Sequence, residues 1–245
     1  LIVGGYHPST TNNNNIIEFV TFTSKANSAD FGDLTVGRTT MCTIASATRA
    51  VFAGGALNAP VGNTNTMDYV TIATTGNAVD FGDMTVANNN SSDGGCGSPT
   101  RGLFHLRTPN NNGSFFHFNI STLGNASDFS DRATGGNNTF AAGSNAIRGI
   151  FQGAYNAAHM TACEISTLGS SFDFGDQTTV RYTAGAAASS TRYVTLGGAQ
   201  VPSYTVVNII EYVEIMTTGN TQDFGDLTHT GYYITGMSNG HGGLG

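Results

Sequence analysis

One four-residue phrase returns five times along this chain: Asp30-Phe31-Gly32-Asp33, Asp80-Phe81-Gly82-Asp83, Asp128-Phe129-Ser130-Asp131, Asp173-Phe174-Gly175-Asp176 and Asp223-Phe224-Gly225-Asp226. The steps between copies are 50, 48, 45 and 50 residues, so five units of that length account for nearly all of the 245. A unit of that length is one supersecondary element. It is too small to bury its own faces, so successive units must pack on one another.

Aligning on the phrase exposes the rest of the unit. Eight residues before each first Asp stands a large apolar residue: Phe22, Ile72, Ile120, Ile165 and Ile215. The stretches around them, 16–23, 66–73, 115–121, 160–166 and 208–216, are rich in β-branched and aromatic residues. Several are apolar on both faces, as strands covered on both sides are. Upstream lies another apolar run, ending in glycine in Leu1–Gly5, Ala50–Gly55, Gly149–Gly153 and Tyr193–Gly198; the third unit has Gly102–Arg107 without the closing glycines. Arg49, Arg101, Arg148 and Arg192 each precede one of these runs. A small-residue strand completes the unit near 40–44, 92–96, 139–142, 182–187 and 232–237. No segment holds a 3.6-residue apolar period over three turns, so almost no helix is expected.

Four antiparallel strands in 45 to 50 residues is the size of a propeller blade. The expected fold is therefore an all-β, five-bladed β-propeller of four-stranded antiparallel blades, with residues 1–245 as a single domain. The chain starts inside a unit and ends with the small strand that this unit lacks. Pairing of 232–237 beside 1–5 would build one composite blade and remove a free sheet edge. A sixth blade would need a repeat the chain does not have.

Composition narrows the partners. There are nine basic residues against sixteen acids, a net charge of −7. Phosphate neutralisation needs clustered Lys and Arg, so nucleic acid is not an expected partner. No run of 18 apolar residues occurs, so no membrane insertion is expected. Cys42, Cys96 and Cys163 lack Cys-x-x-Cys spacing and read as buried thiols rather than metal ligands. The Asn clusters at 12–15, 88–90 and 110–112 read as exposed loops.

These units resemble the kelch repeat of galactose-oxidase-like propellers. Gly54-Gly55, Tyr69, Phe81 and Met84-Thr85-Val86 follow the kelch order of a Gly-Gly strand, a tyrosine, a spaced tryptophan and a Met-Pro-x-x-Arg-like segment. Gly4-Gly5, Phe19, Phe31 and Leu34-Thr35-Val36-Gly37-Arg38 do the same, with Phe in the tryptophan slot throughout, since the chain has no Trp. The phrase Asp68-Tyr69-Val70-Thr71-Ile72-Ala73-Thr74-Thr75-Gly76-Asn77 before Asp-Phe-Gly-Asp is similar to kelch-like repeats in proteins of marine tailed phages and ocean viral sequences. That resemblance implies a virion-associated structural, tail or adhesion role. The partners it implies are other virion proteins or a host-surface glycan or receptor, and the location is the virion.

Ten of the sixteen acids lie in the repeated phrase: Asp30, Asp33, Asp80, Asp83, Asp128, Asp131, Asp173, Asp176, Asp223 and Asp226. Clustered carboxylates suit Ca²⁺, but a Ca²⁺ loop needs three or more nearby oxygen side chains, and each phrase offers two. Catalysis needs one asymmetric constellation rather than five equal ones. The aspartates therefore read as turn or strand-end locks that accept backbone N–H groups or pair with Arg49, Arg101, Arg148 and Arg192. A ring of these arginines binding an anion is the other reading. Phe31, Phe81, Phe129, Phe174 and Phe224 are expected to pack between blades. The third unit differs most from the others and carries His105, Arg107 and His117, the residues to consider for ligand binding. No metal site, cofactor or catalytic set is expected. A radical-copper oxidase needs a Tyr–Cys cross-link with His and Tyr ligands, which cannot be assembled here. The expected function is a non-enzymatic binding or scaffold module, with a carbohydrate-binding lectin as the alternative.

Overall fold

The computed structural model describes residues 1–7, 12–58, 62–87, 94–107, 113–133, 141–154, 157–167, 169–236 and 238. The described residues form strands and turns with no helix. Five successive sheets follow the five repeats. Unit 1 is three-stranded: Ile2–Val3, Ile16–Phe19 and Ala29–Asp33. Unit 2 has Cys42–Ala45, Arg49–Ala53, Thr66–Thr71 and Val79–Asp83 in that spatial order. Unit 3 has Gly95–Gly97, Arg101–Arg107, Gly113–Asn119 and Ser127–Asp131. Unit 4 has Ala141–Ser144, Arg148–Ala154, Ala157–Glu164 and Phe172–Asp176. Unit 5 has Gly185–Ala188, Arg192–Leu196, Ile209–Glu214 and Gln222–Asp226. All pairings are antiparallel. Two small sheets join loops, Tyr6–His7 with Asn12–Asn13, and Arg181–Tyr182 with Ala199–Gln200 and Thr205–Val206. Asn12 and Asn13 thus sit in a strand rather than an open loop, while 88–90 and 110–112 lie outside the described residues.

The first strands of units 2 to 5 lie side by side, and their small residues explain how. A Cβ on Gly143 would stand 2.9 Å from the Tyr193 ring and 3.1 Å from the Ala188 Cβ. Ser144 of unit 4 ties directly to unit 3, its Oγ donating to the Gly97 carbonyl at 2.8 Å. Only glycine, alanine and serine allow backbones this close.

The repeated phrase has a specific job in the ladder. Between the third and fourth strands the register slips at the same place in every unit, at Ile17/Glu18, Met67/Asp68, Phe115/Phe116, Met160/Thr161 and Ile210/Glu211. In unit 2, Met67 pairs with Gly82 and Asp68 with Asp80, so Phe81 is the extra residue of a β-bulge. Bulging frees the Phe carbonyl from its own sheet. The next unit takes it: Gly76 N–H donates to Phe31 O at 2.7 Å, Gly124 to Phe81 O at 2.9 Å and Gly219 to Phe174 O at 2.8 Å. Glycine follows the Phe because a Cβ on Gly82, held at φ +143°, would lie 2.5 Å from the Gly124 carbonyl oxygen. Unit 3 has Ser130 at this position, and there the contact changes. Ser130 Oγ accepts from Ser171 N–H at 3.2 Å, and Ser171 Oγ donates to Asp131 O at 2.6 Å.

Phe31, Phe81 and Phe174 are buried against the following unit, and Phe129 is half-buried. Phe224 departs from the expectation for all five rings: it is 55% exposed, because no following unit covers it. The terminal pairing also departs from expectation. Among the described residues, Ile2–Val3 pairs with Ile17–Glu18 alone and residues 232–236 form no strand; residue 237 lies outside them. Instead the C-terminal segment runs along unit 5, with Gly198 N–H donating to Gly231 O at 2.8 Å and Tyr233 N–H to Thr183 O at 2.9 Å.

Candidate binding surfaces

The four repeated arginines are set by one turn. Three residues before each stands Ser46, Ser98, Asn145 or Ser189, whose side-chain oxygen accepts the arginine's backbone N–H at 3.1, 3.1, 2.8 and 3.0 Å. This Ser/Asn-x-x-Arg spacing stands in the sequence and was not among the features singled out there. It acts as an Asx- or Ser-type turn that fixes the second strand's start.

So placed, the guanidinium reaches forward. Arg49 Nη1 donates to Ile120 O at 2.9 Å, Arg101 Nη1 donates to Ile165 O, and Arg148 Nη1 donates to Ile215 O at 3.0 Å. Each acceptor is the apolar residue eight before the next unit's phrase. The groups also cover rings, Arg49 over Tyr69 and Arg192 over Tyr212 at 4.8 Å, and Arg148 over Phe172 at 5.1 Å. Their carboxylate partners are Glu164 for Arg148 and Glu214 for Arg192, not the repeat aspartates. The expected Arg–Asp pairing is therefore corrected. The aspartates sit on the fourth strand, while the arginines reach across to a carbonyl at the end of a neighbouring third strand.

The repeat aspartates find other partners. Asp176 Oδ1 lies 2.7 Å from His159 Nδ1, and Asp131 Oδ1 accepts from Ser114 Oγ at 2.9 Å. The backbone N–H groups of Asp33, Asp83 and Asp176 donate to Asn77, Asn125 and Asn220 Oδ1 of the next unit at 3.1, 3.0 and 3.0 Å. Among the described residues, no three His, Cys, Asp or Glu side chains form a metal-ligating group.

Two buried ion pairs escaped the sequence reading. Arg38 pairs with Asp68 at 2.8 Å, and Arg181 with Glu211. Thr35 Oγ1 donates to Asp68 Oδ1 at 2.7 Å, and Thr178 Oγ1 donates to Glu211. Both acids stand twelve residues before their phrase, and both arginines five after the preceding one, so the signal was periodic. It is missed because units 2 and 3 lack the arginine. A buried polar chain also links units 4 and 5: Tyr193 OH donates to Gln152 Oε1 at 3.0 Å, and Gln152 Nε2 donates to Gln177 Oε1 at 2.7 Å. Burial pushes the Tyr193 phenol up, which keeps it protonated and donating.

The histidines of unit 3 do not converge on a ligand. His105 is fully buried, its ring edge-on to Phe115 at 5.3 Å. His117 is half-buried against Phe129 at 5.9 Å, and burial, with the Arg101 charge, lowers its pKa. Both lie on the face packed toward unit 4. Arg107 ends the strand Arg101–Arg107 opposite Gly113. Cys42, Cys96 and Cys163 are buried and not joined in a disulfide.

Two surfaces among the described residues have the shape or chemistry to meet a ligand. A cavity of about 180 Å³ is lined by the first strands of units 2 to 5 and by Gly236 and Ser238 of the C-terminal segment. It is below the 300 Å³ at which small-molecule sites begin. The second is a cluster of tyrosines. Tyr182 meets Tyr204 edge-on at 5.7 Å, and Tyr232 lies 5.2 Å from Tyr233. The Tyr233-to-Thr183 hydrogen bond joins the two pairs. Tyr204 and Tyr233 are 52% and 66% exposed and hold φ near +55°, as does Thr183, a costly conformation for residues with a Cβ. No family model matches the chain, and no curated protein matches it.

Proposed function

We propose that the chain is a five-bladed β-propeller acting as a non-enzymatic binding or scaffold module, with a structural or adhesion role on a tailed-phage particle. The observation that carries the propeller reading is the cavity. Inner segments of four consecutive units and the C-terminal segment line one space, as five blades around one axis would. The like sense of the inter-unit contacts supports it, since each unit gives its arginine and its Phe carbonyl to the next. The phage setting rests on the likeness of the repeat phrase. Images of the purified protein should show a ring with five lobes, and the protein should be found in purified phage particles. An open arc would overturn the first part, and absence from particles the second.

The exposed tyrosines favour a second reading, a lectin. Tyr204 and Tyr233 present flat apolar faces with a polar tip, suited to stacking on a sugar ring while bonding its hydroxyls. Strained backbone of this kind gathers at recognition sites. A glycan array read with wild type and Tyr204→Ala tests it: binding lost in the variant supports the lectin, and no binding by the wild type excludes it.

A further inference from the structure

We infer that the open face of unit 5 and the open face of unit 1 are the two halves of one more inter-unit joint, closed within a single chain. This rests on the reading of the chain as a ring and says which side chains make its last contact. Four joints are built in the structure from one set of parts. The leading unit supplies the second-strand arginine, the Phe carbonyl and a threonine two residues after the phrase. The following unit supplies the carbonyl eight residues before its phrase, an asparagine three before, and an acid twelve before. The joint between units 4 and 5 carries every part, and each part recurs in two or more joints.

Among the described residues, unit 5 presents a leading half that no unit covers: Arg192, Phe224, Asp226 and Thr228. Unit 1 presents a following half that meets no leading unit: Glu18, Phe22 and Asn27, at offsets of twelve, eight and three from Asp30. Exposure marks both as unfilled. Phe22 is 88% exposed, whereas at the same offset Ile72, which no second-strand arginine precedes, is 36% and Ile120, Ile165 and Ile215 are at most 1%. A Cβ on Gly225 would meet nothing within 4 Å, whereas on Gly32, Gly82 and Gly175 it would strike the next unit's glycine carbonyl. Two parts differ: Ala26 stands where Gly76, Gly124 and Gly219 receive the Phe carbonyl, and Gly231 stands where Arg38 and Arg181 pair with the acid.

A second copy could offer the same face, but the chain's own terminus points to itself. Gly236 lies against Ala186 of the first strand of unit 5 and lines the shared cavity. The position after unit 5 is therefore already entered by the segment expected to belong to unit 1.

Cross-linking tests this. Asp176 N–H and Asn220 Oδ1 lie 3.0 Å apart across a joint that is closed in the structure, so cysteines at those positions calibrate what a closed joint yields. An Asp176→Cys/Asn220→Cys variant is the reference, and Asn27→Cys/Asp226→Cys is the probe; circular dichroism confirms that each is folded. Under mild oxidation the probe should lose both introduced thiols and yield an intrachain 27–226 disulfide peptide from monomeric protein, at a rate like that of the reference. A ladder of interchain 27–226 cross-links would overturn the inference in favour of a second copy. Failure of the probe where the reference succeeds would also overturn it. Five-lobed images alongside that failure would leave the ring reading standing and remove only this joint; an open arc would remove both.

Discussion

Arg38 Nη1 lies 2.8 Å from Asp68 Oδ2, with both side chains fully buried and each in a different repeat unit. A charge in such a place depends wholly on its partner. Removing one strands the other without water, at a cost of about 3–5 kcal/mol, whereas replacing both by apolar groups is often neutral. Asp68→Ala should therefore lower stability in urea denaturation by about that amount. The double variant Arg38→Met/Asp68→Leu should recover most of the loss. Equal loss in both would mean that packing, not charge, governs this position.

The bulge and its neighbour separate two costs at one joint. Asn125→Ala removes a single hydrogen bond, to Asp83 N–H, and should cost about 1 kcal/mol. Gly82→Ala places a Cβ against the Gly124 carbonyl at φ +143° and should cost more than Asn125→Ala, because backbone has to move. Thermal melts of the two variants give the ranking.

Phe81 is buried between units 2 and 3 and meets Tyr69 and Phe118 edge-on at 5.8 and 5.2 Å. Phe81→Ala should cost about 3–5 kcal/mol. Phe129→Ala should cost less, since that ring is only half-buried. Denaturant titrations of both test the order.

Burial pushes the Cys96 thiol up to about 12, and raises that of Cys163 as well. These groups stay neutral in the fold but ionise in the unfolded chain near the ordinary value of 9.0. Their contribution to stability is complete below that value and declines as pH rises from there toward about 12. A thiol reagent at pH 8 should leave all three cysteines unmodified in the folded protein and label three after denaturation. Labelling of Cys96 in the native state would contradict the burial.

Tyr193→Phe keeps the ring and removes the donor to Gln152 Oε1. An acceptor left unmet in a buried site costs about 1–3 kcal/mol. The melt should fall accordingly, while Tyr193→Phe/Gln152→Leu should restore part of it.

Strands and units were legible because their signals are local and repeated. The apolar runs, the Gly ends and the Asp-Phe-Gly-Asp phrase each mark one strand or one bulge, and five copies remove the noise. What was misread lies between units. Arg49 and Arg148 bond carbonyls 71 and 67 residues ahead, and a carbonyl has no letter in a sequence. An aspartate, which does, drew the assignment instead. His105 looked like a site residue because it is polar and unique to unit 3; in the fold it is core, filling space left by Gly113. The tyrosine cluster was invisible for another reason. Tyr182, Tyr204 and Tyr233 are scattered in sequence and meet only because two loops of unit 5 and the C-terminal segment fold together.

The small inner strands carry a last consequence, for how many units such a chain holds. The joints on the sides of the units are alike, so they set no limit to how many could follow one another. Neighbours are held close at this stripe, where Gly95 and Gly97 lie against Cys42 and Ile44 of the preceding unit and Gly143 against Ala188 and Tyr193 of the following one. In the ring proposed above, this stripe is the narrow end of the wedge between units, and thin strands there give a wide angle per unit and few units per turn. Bulkier residues along that stripe would spread the narrow end, flatten the wedge and ask for a longer chain to come round. On that reading, repeat number is written in the size of the side chains along this stripe, not in the conspicuous phrase that announces each unit.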